Sequence, residues 1–138
     1  MNVRQLSVFI DSASGNVSSV TEALGAARVN IRGFSVSDNA DYGVVRLIVD
    51  DPERGWKALA DAGFAVKEHD VVCLDLPDYP GGLAGVLKAV ADCGVVIEYV
   101  YSLISTHVVV NVADADRAVA MLRGSDLRVA SQEEIASP

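Results

Sequence analysis

The chain has 138 residues, 51% of them apolar and 22% charged, enough for one domain or two small ones and too apolar for a disordered segment. A formal net charge of −8, with 11 basic residues that never cluster, argues against a nucleic-acid partner. No apolar run reaches the length of a membrane span, and Asp11 interrupts any secretory core, so a soluble cytoplasmic protein is expected. Cys73 and Cys93 are too few for a disulfide framework and are expected as buried thiols.

In chain order, "VRQLSVFID" alternates Leu6, Val8 and Ile10 with polar or mixed positions, the period of a strand. A helix is expected over residues 16–27, with Val17, Val20, Leu24 and Ala27 on one face. "NIRGFSVS" and "YGVVRLIVD" read as a hairpin around the loop 38–41. "DDPERGWKALADAG" is a marked helix: Asp51 caps it, Pro52 suits its first position, and Gly63 suits a left-handed stop. "FAVKEHDVV" is a strand that runs on into "CLDLP".

The same succession then returns. A helix over 82–92 aligns Leu83, Val86, Leu87 and Val90, and "VVIEYVYSLI" and "HVVVNV" are strands. A helix capped by Asp114 carries Ala118, Val119 and Leu122 and ends at Gly124. "LRV" is a short last strand, and "SQEEI" opens like a capping box.

Sliding the chain along itself makes the repetition explicit. Gly15 falls on Gly81, Val17 on Leu83, Val20 on Val86, Leu24 on Val90, Val29 on Val95 and Ile31 on Ile97. After a short gap Asp51 falls on Asp114 and Arg54 on Arg117. We therefore divide the chain into repeats 1–69 and 70–138, each βαββαβ, a ferredoxin-like α+β unit with strand order 4-1-3-2. The second strand of each unit lies on an edge. Pairing the two units side by side through those strands would give one eight-stranded antiparallel sheet with the helices on one face.

Little in the sequence asks for catalysis. Asp50 and Asp51 are explained by helix capping, and Asp38 and Asp41 by loop chemistry. His69 and His107 lack the spacing of a triad, and His69 with Cys73 on one strand face is too small a set for a metal. No phosphate-binding or dinucleotide fingerprint occurs. The central strands lack the aromatic and basic positions of an RNA-recognition module, and no Arg follows either first strand as an acylphosphatase-like site would need. No enzyme, metal or cofactor is expected. What stands out is Gly15-Asn16 and Gly81-Gly82, each between a strand and a helix start. On residue chemistry alone these glycines serve equally as a turn or as a seat for a carboxylate at exposed N–H groups.

"DYPGGLAGVLKAVADCGVVI" and its looser copy "DSASGNVSSVTEALGAARVNI", both in βαββαβ units, resemble the ACT domain, a small regulatory module that binds amino acids. The chain is similar to stand-alone tandem ACT proteins over about residues 5–129. The resemblance implies allosteric regulation by a small amino acid bound between two units, each giving the loop before its first helix and the start of its second strand. One site would then join Asp78, Tyr79, Gly81, Gly82 and Leu83 to Asn30 and Ile31. The other, weaker, would join Ser12, Ala13, Gly15, Asn16 and Val17 to Val96 and Ile97. Asn30 stands where serine-binding relatives carry an asparagine that contacts ligand, whereas Val96 offers no hydrogen bond. The implied partners are an amino acid, a second copy in a homodimer, and a regulated enzyme in trans. The alternative is a protein-interaction module whose ligand sites are vestigial.

Three positions carry smaller expectations. Arg28 occupies the left-handed stop that Gly94 fills in the second repeat. Tyr99 and Tyr101 share a strand face as core or interface, and Trp56 is expected in the core.

Overall fold

The computed structural model describes residues 2–11, 13–38 and 43–136. Repeat 1 comprises β1 (Val3–Ile10), α1 (Ala13–Ala26), β2 (Ile31–Asp38), β3 (Gly43–Val49) and α2 (Pro52–Asp61). β4 (Ala65–Asp75) leads into repeat 2, with α3 (Gly82–Asp92), β5 (Ile97–Ser102), β6 (His107–Val112), α4 (Ala115–Leu122) and α5 (Gln132–Ala136).

The six strands form an antiparallel sheet in the order β2-β3-β1-β4-β6-β5. The expected eight-stranded sheet joined through the second strands is not what forms. β4 is one unbroken strand of 11 residues that pairs with β1 over its first part and with β6 from Val72 onward. It serves as the last strand of repeat 1 and the first of repeat 2, and residues 69 and 70 lie inside it. The physical reason is local: "AVKEHDVVCLD" contains no Gly or Pro to turn the chain. The last strand of repeat 2 is reduced to one bridge, Leu74 to Val129. The second strands stand at opposite ends of the sheet order. They approach each other where Gly33 bridges Leu103, just after β5, and the Ile104 N–H donates to Arg32 O at 2.7 Å.

Two cores lie under the helices. Leu6, Val8, Ile10, Val45, Leu47 and Val49 pack with Val20, Leu24 and Leu59 of α1 and α2. Val72, Leu74, Val108, Val110 and Val112 pack with Val86, Val90, Val119 and Leu122 of α3 and α4. The third core is on the other face of the sheet, where Val3 and Ile48 of repeat 1 meet Leu103, Val109, Ala130 and Ile135 of repeat 2 over Val71 and Cys73. The sheet curls so that the face opposite α1 to α4 closes on itself, with Ile135 of α5 packed into it. Ile48, on this face of β3, is 0% exposed because the second repeat covers it.

Helix ends follow the sequence closely. The Arg54 N–H donates to Asp51 Oδ1 at 3.2 Å and the Arg117 N–H to Asp114 Oδ1 at 3.1 Å, equivalent caps in the two repeats. Ser131 and Glu134 exchange the two bonds of a capping box at the start of α5. α1 begins three residues before its expected start, because burial of Val20 and Leu24 outweighs the roughly 1 kcal/mol that a helical glycine such as Gly15 costs. Trp56 is not core: it is 44% exposed, since α2 turns Gly55 and Leu59 inward.

Arg28 does adopt the left-handed conformation, with φ 61°. Arg28→Gly should relieve that strain and raise stability by about 1 kcal/mol. Urea unfolding checks this: an unchanged or lower midpoint would show that the side chain contributes more than its backbone loses.

Candidate functional site

The sequence "LPDYPGG" between β4 and α3 builds the site. Gly81 has φ +85°, which a side chain rarely adopts, and it occupies the N-cap of α3. Gly82 is required for another reason: a Cβ there would lie 2.1 Å from Pro77 O. The loop is drawn back onto the helix start, and the Gly82 N–H donates to Tyr79 O at 2.9 Å. No side chain caps α3, unlike α2 and α4. With the Gly85 N–H bonded to Gly81 O, the first turn is left to offer the N–H groups of Leu83 and Ala84 among the described residues.

This turn borders a groove of about 380 Å3 between Leu76, Pro77, Asp78, Tyr79 and Leu83 on one side and Ser102, Leu103, Ser105 and Thr106 on the other. Its volume suits a small metabolite. Tyr79 and Leu83 remain 66% and 44% exposed at its margin. The far wall is the β5–β6 turn, braced from below. The Leu76 N–H donates to Thr106 O at 2.7 Å, Ser105 Oγ bonds His107 Nδ1 at 2.8 Å, and His107 Nε2 lies 3.1 Å from Asp75 Oδ1. Asp75 also pairs with Arg128 at 3.3 Å, so its charge is shared. The sequence does not reveal this Ser–His–Asp chain, because only the β4–β6 pairing brings Asp75 to His107.

Of the residues expected at the first site, Asp78, Tyr79 and Leu83 line the groove, and Gly81 and Gly82 shape the turn beside it. Asn30 and Ile31 do not line it. The Asn30 N–H donates to Asp50 Oδ1 at 2.9 Å and Asn30 O accepts from the Asp50 N–H, which ties it to the β3–α2 junction. Ile31 packs against the core of repeat 1. β2 reaches the groove only indirectly, through the Gly33–Leu103 bridge.

Of the second set, Ser12 lies outside the described residues, as do residues 39–41 of the expected loop 38–41. Ala13 and Gly15 fall in the first turn of α1, followed by Asn16 and by Val17, which packs on the repeat 1 core. Val96 is 77% exposed and borders a separate depression with Arg117 and Met121, while Ile97 packs into the core of repeat 2.

A polar cluster that sequence reasoning missed sits between the repeats. Gln5 is fully buried, and its Nε2 donates to Tyr99 Oη at 2.7 Å and to Ser7 Oγ at 3.0 Å. Its Oε1 accepts from Tyr101 Oη at 2.7 Å. The two tyrosine rings stack with centroids 6.3 Å apart, and burial pushes the Tyr101 hydroxyl pKa up. The two tyrosines are therefore interface residues, within one chain.

Comparison with known proteins bears on this geometry. The sequence model of the ACT domain pair matches residues 1–137. Protein BT0572 from Bacteroides thetaiotaomicron is 35% identical with a TM-score of 0.90, over 100% of this chain and 98% of that one. The ligand-free regulatory subunit of aspartate kinase from Thermus thermophilus is 18% identical with a TM-score of 0.66, over 88% of this chain and 89% of that one. The corresponding subunit from Thermus flavus is 21% identical with a TM-score of 0.61, over 89% and 90%. These last two likenesses are of fold. A search of curated proteins finds no match.

Proposed function

The chain belongs to the ACT domain pair family, a regulatory family, and on that premise we propose that it is a non-enzymatic sensor of a free amino acid. The ligand occupies the groove between the β4–α3 loop and the β5–β6 turn. The observation that carries this reading is the start of α3, which no side chain caps and whose Leu83 lines a groove of metabolite size. The N–H donors of that start and the helix dipole favour a carboxylate. Asp78, exposed on the β4–α3 loop, supplies the negative charge an ammonium needs. Tyr79, Leu83 and Leu103 leave an apolar margin for the ligand side chain. Asn30 and Ile31 take no part in this site within one chain.

Sensing becomes regulation when the ligand stabilises one arrangement over another, and the shift is bounded by its differential affinity. Signalling runs through self-association or a partner enzyme in trans. The regulatory subunits of aspartate kinase share the fold and make an enzyme partner a natural choice. Among the described residues, no helix is long and apolar enough to cross a membrane.

Calorimetric titration of the responding amino acid tests the site. Asp78→Ala should weaken binding about tenfold, the scale of one charged hydrogen bond, while Asn30→Ala should leave the affinity within about twofold, since it removes no contact to the ligand. Unchanged affinity in Asp78→Ala would overturn the proposed ammonium contact. One observation favours the alternative interaction module: Phe34 and Val36 on the end strand β2 are 57% and 42% exposed. Self-association without a response to any amino acid would select it.

A further inference from the structure

The two repeats pack tightly at one end of the sheet face opposite α1 to α4 and separate at the other, leaving a cleft of about 460 Å3. Its lining is unlike the rest of this acidic chain. Ser7 on β1 is registered with Arg46 on β3 and with Lys67 on β4, so the three form a row across neighbouring strands. Tyr99 and Asn111 form the opposite wall.

Glu98 also lines the cleft, so its two cations, Arg46 and Lys67, outnumber one carboxylate. Among the described residues, neither Arg46 nor Lys67 belongs to an ion pair. Arg46 is held by other means: its Nη1 donates to Ser37 Oγ at 2.8 Å, and its guanidinium lies 4.1 Å from the centroid of the Tyr99 ring. Tyr99 is itself fixed through its hydroxyl to buried Gln5. His69, at the base of the cleft, has its pKa lowered, first by burial and then by the charge of Lys67, with Arg46 adding less; hydrogen bonding with Asn111 and the charge of Asp70 oppose this.

We propose that this cleft is a second ligand site, for a short dicarboxylate, with Arg46 and Lys67 each taking one carboxylate. The spacing carries the choice of ligand. Arg46 and Lys67 are two strands apart, about 9.6 Å between backbones, and a short dicarboxylate spans what one carboxylate or a phosphate does not. Arginine suits a carboxylate through its planar pair of N–H donors, and lysine contributes a point charge. The Tyr99 ring and the Asn111 amide close over the ligand. The site is separate from the groove at α3 and stands or falls independently of the amino-acid reading.

The test is titration of the intact chain with succinate at low ionic strength, followed by calorimetry and by the His69 ring resonances. Succinate should bind at millimolar concentration and raise the pKa of His69, because it brings negative charge beside the imidazole. Arg46→Gln and Lys67→Gln should each weaken binding about tenfold. Lys67 is exposed and, among the described residues, makes no hydrogen bond to another side chain, so its variant should fold even if Arg46→Gln does not. Three results would overturn the proposal: no binding to the native chain, equal binding to Lys67→Gln, or binding of inorganic phosphate as tight as that of succinate.

Discussion

Gly82→Ala should destabilise the protein by about 3 kcal/mol, the upper range for forcing atoms into a packed site. Its new methyl would stand 2.1 Å from a backbone oxygen, that of Pro77, which cannot swing aside as a side-chain end can. Either the first turn of α3 or the loop before it has to move, and both form the groove. Gly85, one turn later in the same helix, provides the contrast. A Cβ there meets nothing within 4 Å, so Gly85→Ala should gain about 0.5–1 kcal/mol from helix propensity alone. Urea unfolding of the two variants should move the midpoint in opposite directions. Equal midpoints would mean that the loop yields freely and that the groove has no fixed shape.

Gln5→Leu should cost about 3 kcal/mol, since it removes three hydrogen bonds from a buried position while adding no space. Gln5 holds Tyr99, Tyr101 and Ser7 by three hydrogen bonds from a fully buried position, and it ties β1 of repeat 1 to β5 of repeat 2. Tyr101→Phe removes one donor from the same cluster and should cost about 1 kcal/mol. Because both changes act on one hydrogen bond, the double variant should be less destabilised than the sum of the singles. Strict additivity would show that the two residues do not interact and that Gln5 does not bind the repeats together.

The local features of this fold are legible because each is set by a few neighbouring residues. Asp51 with Pro52 and Asp114 with Arg117 mark helix starts through groups within one turn, and the structure forms both caps. The strand order within repeat 1 follows from its βαββαβ succession. The Pro-Gly-Gly turn is also readable, although the reason for its second glycine is not: Pro77 lies five residues back and contacts it only once the loop has folded.

What the sequence hides is how one repeat meets the other. Alternation along β3 shows two apolar faces and cannot say what covers the second, and Ile48 turns out to be covered by repeat 2. The same nonlocal packing buries Gln5, a residue whose type suggests a surface. It also places the β5–β6 turn along the groove, on the side where a paired second strand with Asn30 and Ile31 was expected. Fusion of two strands into β4 was latent in the absence of a turn residue, but the repeat pattern points toward a boundary there.

The most direct test of the central claim is an amide NMR titration of the intact chain with each standard amino acid. One amino acid should shift the Leu83 and Ala84 amides most, together with residues 102–106, and should leave the Arg46–Lys67 cleft unmoved. At a hundred times its dissociation constant the same ligand adds about 2.7 kcal/mol of stability, so the effect should also appear as a raised unfolding midpoint. No response at Leu83 and Ala84 to any amino acid would contradict the account and leave Gly81 and Gly82 as the makers of a turn.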